Sequence, residues 1–161
     1  MKQATFVGLA LLTAGCMTLP EGPIAIGSDA ISYEAGPCFG TCPMYKFTVR
    51  PDGTGLFQGR NFTAVRGERT FRVTPAQYRT FETHLATLRP SQGDVRLSGS
   101  ACQPYLTDQA SAHVTWFSQI GNSQSFYLDF GCDMDRNRAT AERLRAAPAL
   151  LPIGDLIGAN R

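Results

Sequence analysis

The sequence predicts a single α+β domain with a mainly antiparallel sheet, and three observations carry that expectation. Alternating apolar and polar residues on both sides of Pro51-Asp52-Gly53-Thr54 mark a β-hairpin. A capped stretch with helical apolar spacing over residues 75 to 88 marks a helix. Two further alternating runs, Ala112 to Ser118 and Gln124 to Phe130, come after it. Strands, a helix, strands and a helix-compatible tail, in that order, define an α+β domain rather than a parallel α/β one.

Taken along the chain, Ile31 and Tyr33 begin an alternation that Ala35-Gly36-Pro37 interrupts. Tyr45, Phe47 and Val49 then alternate with Lys46, Thr48 and Arg50, and Leu56-Phe57 resumes the pattern after the turn. An extended segment from Asn61 to Val65, a turn at Arg66-Gly67 and a strand from Thr70 to Val73 continue the sheet as a meander. Thr74 is an N-cap followed by Pro75 at the first helical position, and Gln77 completes a capping box. Tyr78, Phe81, Leu85 and Leu88 line one face of the helix that Pro90 ends. Residues 90 to 107 read as a Ser/Gly-containing loop carrying Cys102. In the last two strands Val114 and Trp116 share one face, as do Phe126, Leu128 and Phe130, with Ile120-Gly121-Asn122-Ser123 as the connection. Residues 137 to 145 suit a helix that Pro148 breaks before a short terminal helix from Leu150 to Ile157.

The N-terminus carries a different signal. Lys2 precedes an apolar run from Ala4 to Leu12, too short to span a bilayer and suited to a cleaved secretory signal over residues 1–15. Leu12-Thr13-Ala14-Gly15-Cys16 resembles the bacterial lipobox, in which the cysteine receives a diacylglycerol and becomes the mature N-terminus. Thr13 stands where leucine is usual, with Leu12 one place earlier. The alternative is a secreted protein whose Cys16 is removed. Met17 replaces the aspartate that some Gram-negative systems use for inner-membrane retention, so the resemblance places the anchor in the outer membrane, facing the periplasm. Residues 16–28, with Pro20, Gly22, Pro23 and Gly27, read as a lipidated tether, and the folded domain is expected over residues 29–158.

With 161 residues, 43% of them hydrophobic and 17% charged, the chain has the material for a core, which excludes wholesale disorder. A net charge of +2, reduced to +1 once Lys2 is lost, excludes the basic excess of a nucleic-acid binder.

Setting Cys16 aside leaves Cys38, Cys42, Cys102 and Cys132, which allow three pairings. In an oxidising compartment an even set in a small domain is most simply two disulfides. Gly40 gives the Phe39-Gly40-Thr41 spacer the freedom to bring Cys38 and Cys42 within bridging range, so the local pair leads, with Cys102 and Cys132 left to each other.

The run Gly36-Pro37-Cys38-Phe39-Gly40-Thr41-Cys42-Pro43-Met44-Tyr45, followed by Val49 and Pro51-Asp52-Gly53-Thr54-Gly55, resembles a small bacterial domain of unknown function. That domain often follows lipoprotein leaders and carries C-F-G-T-C-P-x-Y before a D-G hairpin turn. Thr107-Asp108 and Ile153-Gly154-Asp155-Leu156-Ile157 fit the same pattern, and the resemblance covers roughly residues 29 to 158. It implies architecture without an activity. Cys102 and Cys132 are an extra pair beyond its basic motif, which supports pairing each set within itself.

C-x3-C before proline also resembles the copper-binding loop of thioredoxin-like copper chaperones, where Met44, His84 or His113 would complete a soft site. In that family the loop opens a helix, whereas Tyr45 to Val49 reads as a strand. Thiol exchange would need a depressed cysteine pKa, and only Lys46 and Arg50 supply charge nearby. His84 and His113 each stand alone in sequence and read as structural. Gly53, Gly55 and Gly59 have the wrong spacing for a dinucleotide fingerprint, and there is no G-x-S-x-G, H-E-x-x-H or phosphate loop. Asp133-Met134-Asp135-Arg136-Asn137 begins like a calcium loop, but Arg138 and Leu144 replace its glycine and glutamate, so Asp135 or Asn137 is expected to cap a helix. Arg60, Arg66, Arg69 and Arg72 read as a solvated strand face rather than a strip for anionic polymers.

The sequence therefore assigns no catalytic residue, metal or cofactor. It points to a lipid-anchored envelope module, membrane-bound through Cys16 and stapled by Cys38, Cys42, Cys102 and Cys132, that binds or organises an envelope protein or polymer. The alternative is a thiol-redox or copper-handling protein using Cys38 and Cys42.

Overall fold

The computed structural model describes residues 29–118 and 121–158. The expected signal peptide, Cys16, the tether and Ile120 of the second hairpin lie outside the described residues. Within them the elements are β1 (Ala30–Ala35), β2 (Tyr45–Val49), β3 (Thr54–Gly59), β4 (Gly67–Arg72), α1 (Pro75–Ala86), β5 (Asp94–Leu97), β6 (Ser111–Phe117), β7 (Gln124–Asp129), α2 (Arg138–Ala146) and α3 (Gly154–Ile157). Short 3-10 turns cover Gly99–Ala101 and Ala147–Leu150.

The strands form one seven-stranded sheet in the order β4-β3-β2-β1-β6-β7-β5, antiparallel except for β5 against β7. The α+β class and the mainly antiparallel sheet are as the sequence predicts. The hairpin turn between β2 and β3 is built from local chemistry. Asp52 Oδ1 accepts from the Thr54 N–H (2.8 Å) and hydroxyl (2.5 Å), which holds its carboxyl below the usual value, and Gly53 takes a positive φ of 79° that favours glycine.

The register aligns an apolar row across the sheet: Phe126, Val114, Tyr33, Phe47 and Phe57 lie opposite one another on successive strands. This face carries the helices. Phe81 of α1 sits 5.7 Å from Phe47 between ring centroids, and Tyr33 donates its buried hydroxyl to the Leu144 carbonyl of α2 (3.0 Å). Burial, with Tyr45 beside it, pushes the Tyr33 hydroxyl far above its ordinary pKa, and burial alone moves Tyr45 to about 12. The opposite face is polar, presenting Glu34, Lys46, Thr48, His113, Thr115 and Tyr127.

The capping box of α1 forms as its sequence dictates: Thr74 Oγ1 accepts from Gln77 N–H (3.2 Å) while Gln77 Oε1 accepts from Thr74 N–H (2.9 Å). Arg89, just beyond that helix, anchors the start of the domain. It pairs with the Asp29 carboxylate at 2.5 Å, donates twice to Gln124 and lies over Trp116, while Tyr78 donates to the Asp29 carbonyl.

Several elements depart from expectation. Residues 61–65 are a loop instead of an extended strand segment, because Ala64 and Val65 donate to the Ile157 and Leu156 carbonyls of the C-terminal region. The turn expected at Arg66-Gly67 is displaced, since Gly67 already pairs with Gly59 in β4. Helix α1 stops at Ala86, two residues before Leu88. The loop expected over residues 90 to 107 contains β5, an edge strand paired in parallel with β7. Pro148 sits at the beginning of a 3-10 turn, where its fixed φ is compatible, so the terminal helix is reduced to Gly154–Ile157.

Candidate functional site

The four domain cysteines meet at one end of the sheet. Cys38 is bonded to Cys42 and Cys102 to Cys132, with Cα separations of 5.8 and 4.9 Å. The first pair closes the loop between β1 and β2, and Gly40 accommodates the closure with a φ of 135°. The second is buried and joins the segment before β6 to the segment after β7. Backbone bonds lock these segments together: Phe39 N–H donates to Asp108 O (2.9 Å), Leu106 N–H to Gly131 O (3.0 Å), Phe130 N–H to Ala110 O (2.9 Å) and Asp133 N–H to Pro104 O (2.8 Å). Residue 131 must be glycine for this approach, since a Cβ there would lie 1.9 Å from the Leu106 carbonyl oxygen.

The result is a covalently framed groove. One hollow of about 430 Å³ is lined by Cys38, Phe39, Cys42, Asp108, Phe130 and Arg145, among others. A second, of about 520 Å³, is lined by Leu106, Met134, Ala141 and Arg138, and shares Phe130 and Arg145 with the first. Arg145, in the last turn of α2, places its guanidinium 4.1 Å from the Phe130 ring centroid, so a cation sits between the two hollows, the first of mixed polarity and the second mainly apolar. Large apolar side chains project around them: Phe39 is 90% exposed, Leu106 52% and Met134 44%. Phe39 stands between the two cysteines of the five-residue loop closed by the Cys38–Cys42 bond. Nearby, Tyr105 donates to Asp129 (2.8 Å), a hydrogen bond that raises the Tyr105 pKa, and Asp129 also accepts from Gly131 N–H.

The other candidate residues are dispersed. His84 ties α1 to α2, donating from Nε2 to the Arg143 carbonyl (2.8 Å), while Arg143 donates back to the His84 carbonyl (3.0 Å). His113 lies on the polar sheet face with its ring 5.9 Å from Tyr127, and burial lowers its pKa. Met44 accepts from Asn61 Nδ2. The structure therefore brings neither histidine to the Cys38–Cys42 loop, which leads into strand β2 rather than a helix. Among the described residues, no three His, Cys, Asp or Glu side chains are grouped as metal ligands.

Asn137 occupies the N-cap position of α2, but its side chain donates to the Cys132 carbonyl (2.7 Å) instead of capping. Asp135 pairs with Arg138. The four arginines do not share one strand face: Arg60 lies in the loop after β3 and pairs with Glu34, Arg66 precedes β4, and Arg69 and Arg72 project from opposite faces of β4. Sequence reasoning missed Phe39, Leu106 and Met134 as site residues. The available signal was an aromatic held between close cysteines.

Fold and site together define a disulfide-stapled, single-sheet α+β domain with a disulfide-framed, partly apolar groove at the cysteine end of the sheet. Its family is one whose function is unassigned. The model of the domain of unknown function DUF6438 matches residues 29–147, and the chain belongs to that family. No curated protein matches it.

Proposed function

We propose that the protein is a non-enzymatic, lipid-anchored envelope module that binds an envelope protein through its disulfide-framed groove. The lipobox-like run ending at Cys16 supports export and acylation, and Met17 in place of a retention aspartate supports an outer-membrane location facing the periplasm, with residues 16–28 as the tether. The observation that carries the binding role is Phe39, 90% exposed on a loop fixed by a disulfide and by its bond to Asp108. An aromatic side chain held rigidly in water is a preorganised anchor, because little conformational entropy is lost when a partner buries it. Leu106, Met134 and the Arg145–Phe130 stack extend the same surface. Burying a phenylalanine contributes about 2 kcal/mol, roughly thirtyfold in affinity.

The test is capture from envelope extract by wild-type protein and by Phe39→Ala and Phe117→Ala variants. Phe117 is also an exposed aromatic, but on β6. A partner retained by wild type and Phe117→Ala but lost by Phe39→Ala supports the reading. Equal retention by all three removes the groove from the binding site. Redox titration of the same protein separates the thiol-exchange alternative, which requires a Cys38–Cys42 potential well above that of structural disulfides.

A further inference from the structure

Among the described residues, β4 ends the sheet with an exposed, unpaired edge. Five of its six residues are exposed, Phe71 alone being half-buried, and no proline or bulge interrupts its continuous pairing with β3. Val73 N–H donates to Gly53 O (2.9 Å), which makes that facing pair a hydrogen-bonded one. Antiparallel ladders alternate, so the backbone groups of Gly67, Arg69 and Phe71 point to β3 and those of Glu68, Thr70 and Arg72 point outward. The Arg69 guanidinium confirms the direction at one position by donating to the Glu68 carbonyl (2.8 Å), an acceptor the sheet does not use.

We propose that β4 pairs antiparallel with β4 of a second copy of this chain, about a twofold axis through Thr70. Such an axis, perpendicular to the sheet, keeps the two faces of both sheets aligned. It therefore sets residues of like parity opposite one another, and the outward groups of Glu68, Thr70 and Arg72 meet their counterparts. Centred on Thr70, Glu68 lies opposite Arg72 and Arg72 opposite Glu68, giving two opposite-charge pairs on the polar face. Arg69 lies opposite Phe71 twice on the helix-bearing face, and Thr70 faces itself. The pairs from Glu68 to Arg72 are then all of a stabilising type, with Gly67 opposite Val73 at each end. The neighbouring registers lack this match: centring on Arg69 sets that arginine against itself, and centring on Phe71 sets Arg72 against Thr70 and Glu68 against Thr74. Charged residues on an edge strand ordinarily blunt it. Here the order Glu68-Arg69-Thr70-Phe71-Arg72 is self-complementary, and the Glu68 carbonyl exchanges its Arg69 contact for the Arg72 N–H of the second copy. Six residues per copy form a small interface, so association in solution is weak and is favoured by confinement of both copies to one surface.

The test uses the purified full-length chain carrying Cys16→Ser, so that no other free thiol competes. Facing hydrogen-bonded residues place their Cα atoms about 5.5 Å apart, within disulfide range. Thr70→Cys under mild oxidation is expected to give a covalent dimer, whereas Thr48→Cys, on the same face but inside the sheet on β2, is expected to remain monomeric. Adding Glu68→Arg to Thr70→Cys turns two opposite-charge pairs into like-charge pairs and is expected to lower dimer yield about tenfold. Combining Glu68→Arg with Arg72→Glu restores it. Circular dichroism of each variant verifies the fold. A monomeric Thr70→Cys, equal cross-linking at Thr48→Cys, or failure of the double charge inversion to restore yield would overturn the proposal.

Discussion

The two disulfides close loops of very different size, and their removal separates stability from recognition. Cys102–Cys132 spans 30 positions and Cys38–Cys42 spans 4. Restricting the unfolded chain by these closures contributes about 3.7 kcal/mol for the long loop and about 1.9 kcal/mol for the short one on the chain-entropy relation. Burial reinforces the order, since Cys102 and Cys132 belong to the core while Cys38 and Cys42 are half-buried at the surface. Paired alanine substitutions are therefore expected to differ by about 2 kcal/mol, or roughly 6 °C in melting midpoint. Urea unfolding of wild type, Cys38→Ala/Cys42→Ala and Cys102→Ala/Cys132→Ala measures the difference directly. Equal losses, or a larger loss from the Cys38–Cys42 pair, would refute the loop-size argument. The same variants should diverge in the opposite sense in binding: the short loop contributes less to folding, but it holds Phe39 rigid.

Two further outcomes follow from single groups. His113 is held below its ordinary pKa of 6.5 chiefly by burial, partly opposed by the Glu34 carboxylate, with Arg96, Lys46 and Asp94 also facing it. The fold thus favours the neutral ring. Its contribution is present above the unfolded value of 6.5 and is lost as pH falls through the depressed folded value, so stability should drop as pH falls below 6.5. His113→Gln should flatten that part of the urea-midpoint profile, and an unchanged slope would show that other groups set it. At the N-terminus, Cys16→Ser should abolish acylation and move the exported protein from the membrane to the soluble fraction; an unchanged mature mass and fractionation would remove the lipid anchor from the account.

Much of the architecture was legible because local chemistry and tertiary demand agree there. Thr74, Pro75 and Gln77 specify the start of α1, and Tyr45, Phe47 and Val49 alternate because, among the described residues, the helices cover one sheet face. Where long-range contacts decide, the sequence was silent. Asp94-Val95-Arg96-Leu97 is too short to announce a strand, and its parallel pairing with β7 is fixed by a partner about 30 residues away. Asn61 to Val65 has strand-like composition, yet its backbone bonds go to the C-terminal region, which no local pattern encodes. The cysteine loop was visible as a staple, but its role as one wall of a groove depends on the Asp108 and Phe130 segments arriving from elsewhere in the chain.

The central claim is that the stapled end of the sheet is a protein-binding surface anchored by Phe39. Site-specific photocross-linking in intact cells tests it most directly, with a photoreactive phenylalanine placed at position 39 and, separately, at position 117 on β6. The account predicts one discrete adduct with another envelope protein from position 39, lost when Leu106→Ser and Met134→Ser are added, and no such adduct from position 117. Adducts of equal intensity from both positions, or none from position 39 in cells where the protein is folded and abundant, would contradict it.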